Sequence, residues 1–175
     1  MVEPLQDPRR HDPPPVTDDE RASYEAWLDW HRITLLMKCE GLDDAGRRAR
    51  PVSTSLLSLH GLVRHMAEVE RSWFRKVISG EDLVGGIYWD DHHPEGDFEV
   101  PDGDAFEDDV AVWVGEIAQA RTIAAAHGLD DTGIRPRTGQ AVDLRWVYLH
   151  MIEEYARHNG HADLLRELVD GAVGD

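Results

Sequence analysis

The sequence predicts an all-α protein folded as a four-helix bundle. Apolar residues recur at spacings of three and four in four long segments, which is typical of amphipathic helices. We find no segment with the alternation of apolar and polar residues that marks a strand. Helices that each carry one apolar face bury those faces most simply against one another. A chain of 175 residues can enclose a substantial core, and we expect a single domain over residues 17–175.

The N-terminal segment differs in composition from the rest of the chain. Residues 1–16 are rich in proline, with consecutive prolines at 13–15, and contain few large apolar residues. This composition predicts a flexible, extended arm. The acidic segment 17–20 has the pattern of a capping box, so we start the first helix there and extend it to about Glu40.

Three further helices complete the predicted bundle. Their ranges are roughly 55–79 for the second helix, from 102 or 104 to 127 for the third, and 144–169 for the last. Asp143 is the predicted N-cap of the last helix and Gly171 its stop. The loop 81–101 is long for a compact domain, and a loop of that length can cross the bundle. The length of this loop therefore permits an up-down-down-up order of the four helices.

Composition excludes several classes of partner. The net charge of −17, from 35 acidic against 18 basic residues, repels phosphate backbones and anionic membrane surfaces. We therefore expect no nucleic-acid or membrane partner. The single cysteine, Cys39, cannot form an internal disulfide, and we see no leader or membrane-spanning segment. We expect a cytoplasmic protein.

The last helix carries polar side chains where a bundle needs apolar ones. At about 100° per residue, Glu154, His158 and His161 lie on one side of the helix, beside Met151 and Ala162. Burying an ionised carboxylate without a partner is very costly. Residues at positions i and i+4 are neighbours, so Glu154 and His158 can bind the same ion.

His65 supplies the third predicted ligand. It lies in the apolar stripe of the second helix, three residues after Leu62 and four before Val69. An isolated inward histidine is more often a core residue bonded to a carbonyl group. Together with Glu154 and His158, however, it completes a His/Glu/His set that leaves a position open for water or substrate, as in catalytic metal sites. Zinc is the first candidate, and nickel, iron and manganese also suit these ligands.

The other residues that could take part in catalysis or metal binding are assigned secondary or structural roles. His161, one turn beyond His158, can be a fourth ligand, a base or a group that hydrogen-bonds the substrate, and we favour the last as a catalytic role. We expect His150 to be a helix-packing residue and Cys39 a small buried residue without nucleophilic character. The loop segment 90–93 contains metal-binding residue types but is more typical of a solvated acidic loop. We find no phosphate-binding glycine loop, serine nucleophile elbow or CxxC pair.

The chain resembles actinobacterial DinB-like proteins, in the branch related to mycothiol-dependent enzymes. The similarity extends over about residues 20–170. It is carried by LRW at 144–146 and HMIEEYARHNGHAD at 150–163, by LVRHM at 62–66 with Glu70 and Trp73, and by WDD at 89–91. The resemblance implies an up-down-down-up four-helix bundle, a homodimer, and a metal held by His65, Glu154 and His158. Isomerase activity is not implied, because the isomerases of this branch use an additional C-terminal domain.

The resemblance also implies a function. We expect a metal-dependent thiol S-transferase that joins mycothiol, or another low-molecular-weight thiol, to a small-molecule electrophile in detoxification. A hydrolase is the first alternative, since metal-bound water can attack an ester or amide at the same kind of site. A non-enzymatic bundle that binds a metal or a ligand is the second.

Overall fold

The computed structural model of the protein describes residues 13–173, so residues 1–12 of the predicted arm lie outside it. The prediction of an all-α fold is confirmed. The elements are α1 (Glu20–Cys39), α2 (Asp44–Arg48), α3 (Leu59–Glu70), a π-helical continuation of α3 (Arg71–Ile78), α4 (Phe106–Ala126), β1 (Thr132–Ile134), β2 (Ala141–Asp143) and α5 (Leu144–Asp170). None of the helices in this described part is long and apolar enough to cross a membrane.

Helices α1 and α5, the first and last of the bundle, run parallel to each other. Near their N-terminal ends, Arg145 Nε lies 2.6 Å from Glu20 Oε1. Near their C-terminal ends, Lys38 Nζ lies 2.7 Å from Asp163 Oδ1. Because the two pairs advance along both helices in the same direction, the helices point the same way.

Helices α3 and α4 are also parallel, and both run opposite to α5. His60 pairs with Asp109 at the start of the two helices, and Arg75 pairs with Glu116 further along both. Against α5 the order reverses: His65 packs on the ring of His158, late in α5, whereas Trp73, further along the continuation of α3, packs on Trp146 at the start of α5. The bundle is therefore up-down-down-up, as the resemblance implied.

The parallel arrangement of α3 and α4 explains the long loop between them. The chain leaves α3 at one end of the bundle and must return to the other end before α4 begins. On the way back, Arg64 Nη2 donates a hydrogen bond to the carbonyl of Gly96 at 3.0 Å. A Cβ on Gly61 would lie 3.3 Å from the backbone of Phe98, so glycine permits this close approach. The loop segment 96–98 is thereby fixed beside the N-terminal half of α3.

The link before α5 was predicted without strands, and that prediction is wrong. Thr132–Ile134 and Ala141–Asp143 form an antiparallel hairpin, in which Thr132 pairs with Asp143. A Cβ on Gly133 would overlap the carbonyl oxygen of Val77, so glycine lets the hairpin pack directly on the π-helical segment. Strands of three residues are too short to show a recognisable alternation.

The predicted and observed helix boundaries agree best where a capping residue defines the end of the helix. Asp143 accepts a hydrogen bond from the Trp146 amide, and Gly171 has φ of 80°, which confirms both predicted ends of α5. The capping-box pattern at 17–20 implied Thr17 as the N-cap of α1, but the observed N-cap is Asp19. Helix α3 begins four residues later than predicted, because Ser58 caps it through the Gly61 amide.

A buried polar network joins the four long helices. Arg32 on α1 donates to both carboxylate oxygens of Glu70 on α3, at 2.8 and 2.9 Å. Tyr155 on α5 donates to Glu70 at 2.7 Å, and Trp113 on α4 donates to the Tyr155 hydroxyl at 2.9 Å. All four side chains are at most 3% exposed. Their hydrogen bonds satisfy polar groups that would otherwise be costly to bury.

Candidate metal centre

The structure brings the three predicted metal ligands together. One ligand atom from each of His65, Glu154 and His158 lies within 4.8 Å of the other two. The antiparallel packing of α3 on α5 places the rings of His65 and His158 with centroids 4.6 Å apart. His158 Nε2 lies 3.6 Å from Glu154 Oε2, one helical turn away. That these residues bind an ion stays a prediction.

All three side chains are shielded but reachable from solvent. The exposed fraction is 21% for His65, 16% for Glu154 and 10% for His158. The nearby imidazole of His158 is the main cause that lowers the pKa of Glu154 from its ordinary value, and burial opposes it. The carboxylate is therefore ionised at neutral pH, as a metal ligand must be.

Asp97 orients His65, and sequence reasoning missed it. Asp97 Oδ2 lies 2.7 Å from His65 Nδ1, and the ring of Phe98 stacks on the imidazole with centroids 4.6 Å apart. Because Nδ1 is engaged by the carboxylate, Nε2 is the nitrogen left for a ligand. In many metal sites, the ring nitrogen of a histidine ligand that does not bind the metal donates a hydrogen bond to a carboxylate. In the sequence Asp97 is one of many acidic residues in the loop, and nothing there distinguishes it.

His161 lies behind His158 rather than within the ligand group. The two Nδ1 atoms are 3.4 Å apart, while Nε2 of His158 faces Glu154. Burial, and next the charge of His158, lower the pKa of His161, so this imidazole is neutral at pH 7. The geometry lets His161 fix the orientation of His158. A direct catalytic role for His161 stays a prediction.

His150 contacts the other oxygen of Glu154. Its Nε2 lies 3.3 Å from Glu154 Oε1, and its ring packs against Trp73 and Trp146 with centroids 4.4 and 4.9 Å away. The prediction of a packing residue therefore describes only part of its surroundings. His150, Glu153 and Glu154 also form a possible ligand group, although Glu153 is exposed and pairs with Arg157.

The remaining candidates from the sequence lie away from the centre. The carboxylate of Asp90 accepts hydrogen bonds from the backbone amides of His92 and His93, and all three side chains are exposed. Cys39 is buried, and burial raises the pKa of its thiol to about 12. A thiol that stays protonated at neutral pH is a poor nucleophile.

His65 also lines a cleft of about 700 Å³. The other lining residues come from α3 and the π-helical segment, from the loop 83–97 and from the hairpin turn 135–137. Val69, Trp73 and Trp89 give the cleft apolar walls. A volume of this size accommodates a small organic molecule.

Comparison with known proteins gives a match over most of the chain. A family model described as mycothiol-S-transferase matches residues 23–171. This range covers the bundle from α1 to the end of α5 and includes His65, Asp97, Glu154 and His158. No curated protein matches the sequence significantly.

Proposed function

Because the chain belongs to the mycothiol-S-transferase family, which is DinB-like, we propose that it is a metal-dependent thiol S-transferase acting in detoxification. Its thiol substrate is mycothiol or another low-molecular-weight thiol, and its acceptor is a small electrophile. The observation that carries the proposal is the convergence of His65, Glu154 and His158 within 4.8 Å, with His65 also lining the cleft. We further propose that the protein acts in the cytoplasm as a homodimer.

The chemistry of the three side chains fits a divalent first-row metal. Two imidazoles and one carboxylate suit zinc, and also nickel, iron or manganese. Asp97 leaves Nε2 of His65 available, and His161 lies against the Nδ1 of His158 that does not face Glu154. Three protein ligands leave a position open for a substrate atom.

A divalent ion at this centre would supply Lewis acidity, which lowers the pKa of a coordinated thiol. The protein's own contribution is positional. Asp97 and His161 hold the two imidazoles, and the apolar walls of the cleft keep water from the electrophile. In a substitution, the thiol loses its proton to solvent, its sulfur forms a bond to the electrophilic carbon, and the leaving group departs with the electron pair of the bond that breaks. In an addition, the sulfur forms the same bond, the electron pair of the acceptor's π bond moves onto the acceptor, and the acceptor takes up a proton equivalent to the one that the thiol lost.

Asp97→Asn is expected to weaken metal binding by about 10- to 100-fold, because removal of a partner behind a ligand has effects of that size. Asparagine keeps the shape of the side chain but loses the charge that supports the His65 imidazole. Metal affinity is measured by titration against a competing chelator. Asp91→Asn, at an exposed position in the same loop, is the control and should leave the affinity unchanged. Equal affinities for the two variants would contradict the role of Asp97.

The proposed activity is tested with metal-loaded protein and a fluorogenic alkyl halide, with and without mycothiol. We expect turnover that requires the thiol and is lost in the metal-free protein. Turnover of ester substrates without thiol would instead identify a hydrolase. Absence of any turnover with a full complement of metal would identify a bundle that only binds metal or a ligand.

A further inference from the structure

The cleft that His65 lines also carries a concentration of positive charge. Arg71 and Lys76 line it from the π-helical segment, and Arg135 and Arg137 line it from the hairpin turn. Four cations in one cleft stand out in a chain with 18 basic and 35 acidic residues. Arg71 and Lys76 follow His65 by six and eleven positions, which is roughly 9 and 16 Å along a helix. The cations are therefore set apart from the candidate ligand His65 within the same cleft.

Three of these cations have no carboxylate bound to them. Among the described residues, the side chains of Arg71, Lys76 and Arg137 form no hydrogen bond or ion pair. Arg75, on the same π-helical segment but outside the cleft, binds both Glu81 and Glu116. Arg75 is thus neutralised by acids, whereas Arg71, Lys76 and Arg137 in the cleft remain available for a ligand.

Arg135 is held in place by aromatic rings. Its guanidinium lies 5.4 Å from the centroid of Trp73 and 5.6 Å from that of Trp146. Its backbone amide donates to the Gln140 carbonyl across the hairpin turn at 2.9 Å. A guanidinium stacked on aromatic faces keeps its N–H groups in a fixed fork, which matches a carboxylate or a phosphate.

Two of the three acidic residues that line the cleft are already engaged. Glu68, in the cleft wall, accepts hydrogen bonds from the backbone amides of Ile87 and Tyr88. Asp97 binds His65. Arg71 acts on Glu68 only through the electrostatic attraction between the two side chains. Glu95 is the third, and its exposed side chain forms no ion pair with any of the four cations. None of the acids that line the cleft therefore forms a salt bridge with these cations.

We propose that the four cations of the cleft form a subsite for the anionic group of the acceptor substrate. The acceptor is then an organic anion, with a carboxylate, phosphate or sulfonate bound by Arg71, Lys76 and the hairpin arginines. Its apolar body lies along Trp73 and its electrophilic carbon near His65. Hydrogen bonds between a charged donor and a bound anion are stronger than those between neutral groups, and cations without partners in a cleft favour them. This inference rests on the proposed transferase function and names its substrate class.

The kinetic test uses two alkyl halides with the same skeleton, one bearing a carboxylate and the other the matching carboxamide. The wild-type protein should have at least a tenfold higher kcat/KM for the carboxylate. The double variant Arg71→Gln/Lys76→Gln should lose about 10- to 100-fold for the carboxylate and change less than about twofold for the carboxamide. Arg121→Gln, outside the cleft, is the control and should behave as wild type. A wild-type protein that treats both halides alike, or a double variant that loses both equally, would overturn the proposal.

A binding measurement separates this proposal from the proposed activity. The non-reactive carboxylate analogue without the halide is titrated into metal-loaded wild type and double variant, with tryptophan fluorescence as the signal. Weaker binding by the double variant supports the subsite even if no electrophile is turned over. Equal binding by the two proteins overturns it, and so does a double variant that raises KM only for the thiol, because the cations would then serve the thiol.

Discussion

Replacing His65 with alanine is expected to abolish retention of a bound divalent metal. His65 is the one ligand of the set that comes from α3, and the other two lie on adjacent turns of α5. Without it, one carboxylate and one imidazole remain, and a two-ligand site holds a divalent ion far less tightly than the three-ligand sites of metalloenzymes.

The measurement is metal stoichiometry by inductively coupled plasma mass spectrometry after dialysis against metal-free buffer. We expect about one ion per wild-type chain and close to none in the variant. His92→Ala is the matched control, because this histidine is exposed in the loop and lies outside both possible ligand groups. Circular dichroism verifies that the variant is folded, as expected for a side chain that is not fully buried. Unchanged stoichiometry in a folded His65→Ala protein would show that the metal site has been assigned to the wrong residues.

The part of this site that could be predicted from sequence is the part governed by helical spacing. Glu154 and His158 are neighbours on any helix that contains them, so their proximity needs no tertiary information. His65 was predicted from its phase in an apolar stripe, which places it on the inner side of its own helix. Whether His65 lies level with Glu154 and His158 depends on the antiparallel packing of α3 against α5. The resemblance implied this packing, whereas spacing alone did not.

The residues that sequence reasoning missed depend on the path of a loop or on partners from other helices. Asp97 reaches His65 because the connection between two parallel helices must return along the bundle. The hairpin was missed because its strands are short, and with it the contribution of Arg135 to the cleft. Glu70 was noted only as part of the family motif. Its contacts with Arg32 and Tyr155 come from residues 38 and 85 positions away, which no local pattern reveals.

Replacing Glu70 with alanine should give the largest loss of stability of any change considered for this protein, about 3–5 kcal/mol in the free energy of unfolding. The substitution leaves the guanidinium of Arg32 buried without the carboxylate that accepts two of its hydrogen bonds, and the Tyr155 hydroxyl without its acceptor. Asp29 still contacts Arg32 at 2.8 Å, but it is partly exposed and lies on the same helix. It therefore cannot restore the connection between α1 and α3.

The loss is measured by urea unfolding of metal-free protein, so that metal binding does not contribute. Glu107→Ala removes the exposed partner of Arg47 and is the control, for which a surface pair predicts a loss of about 0–1 kcal/mol. The double variant Arg32→Leu/Glu70→Leu tests the cause. If the cost of Glu70→Ala is the desolvation of an unpaired charge, removing both charges should recover much of the stability, because apolar side chains of suitable size replace buried ion pairs with little cost. A Glu70→Ala protein within 1 kcal/mol of wild type would mean that the bundle is held by its apolar contacts and that the network is not needed for its stability.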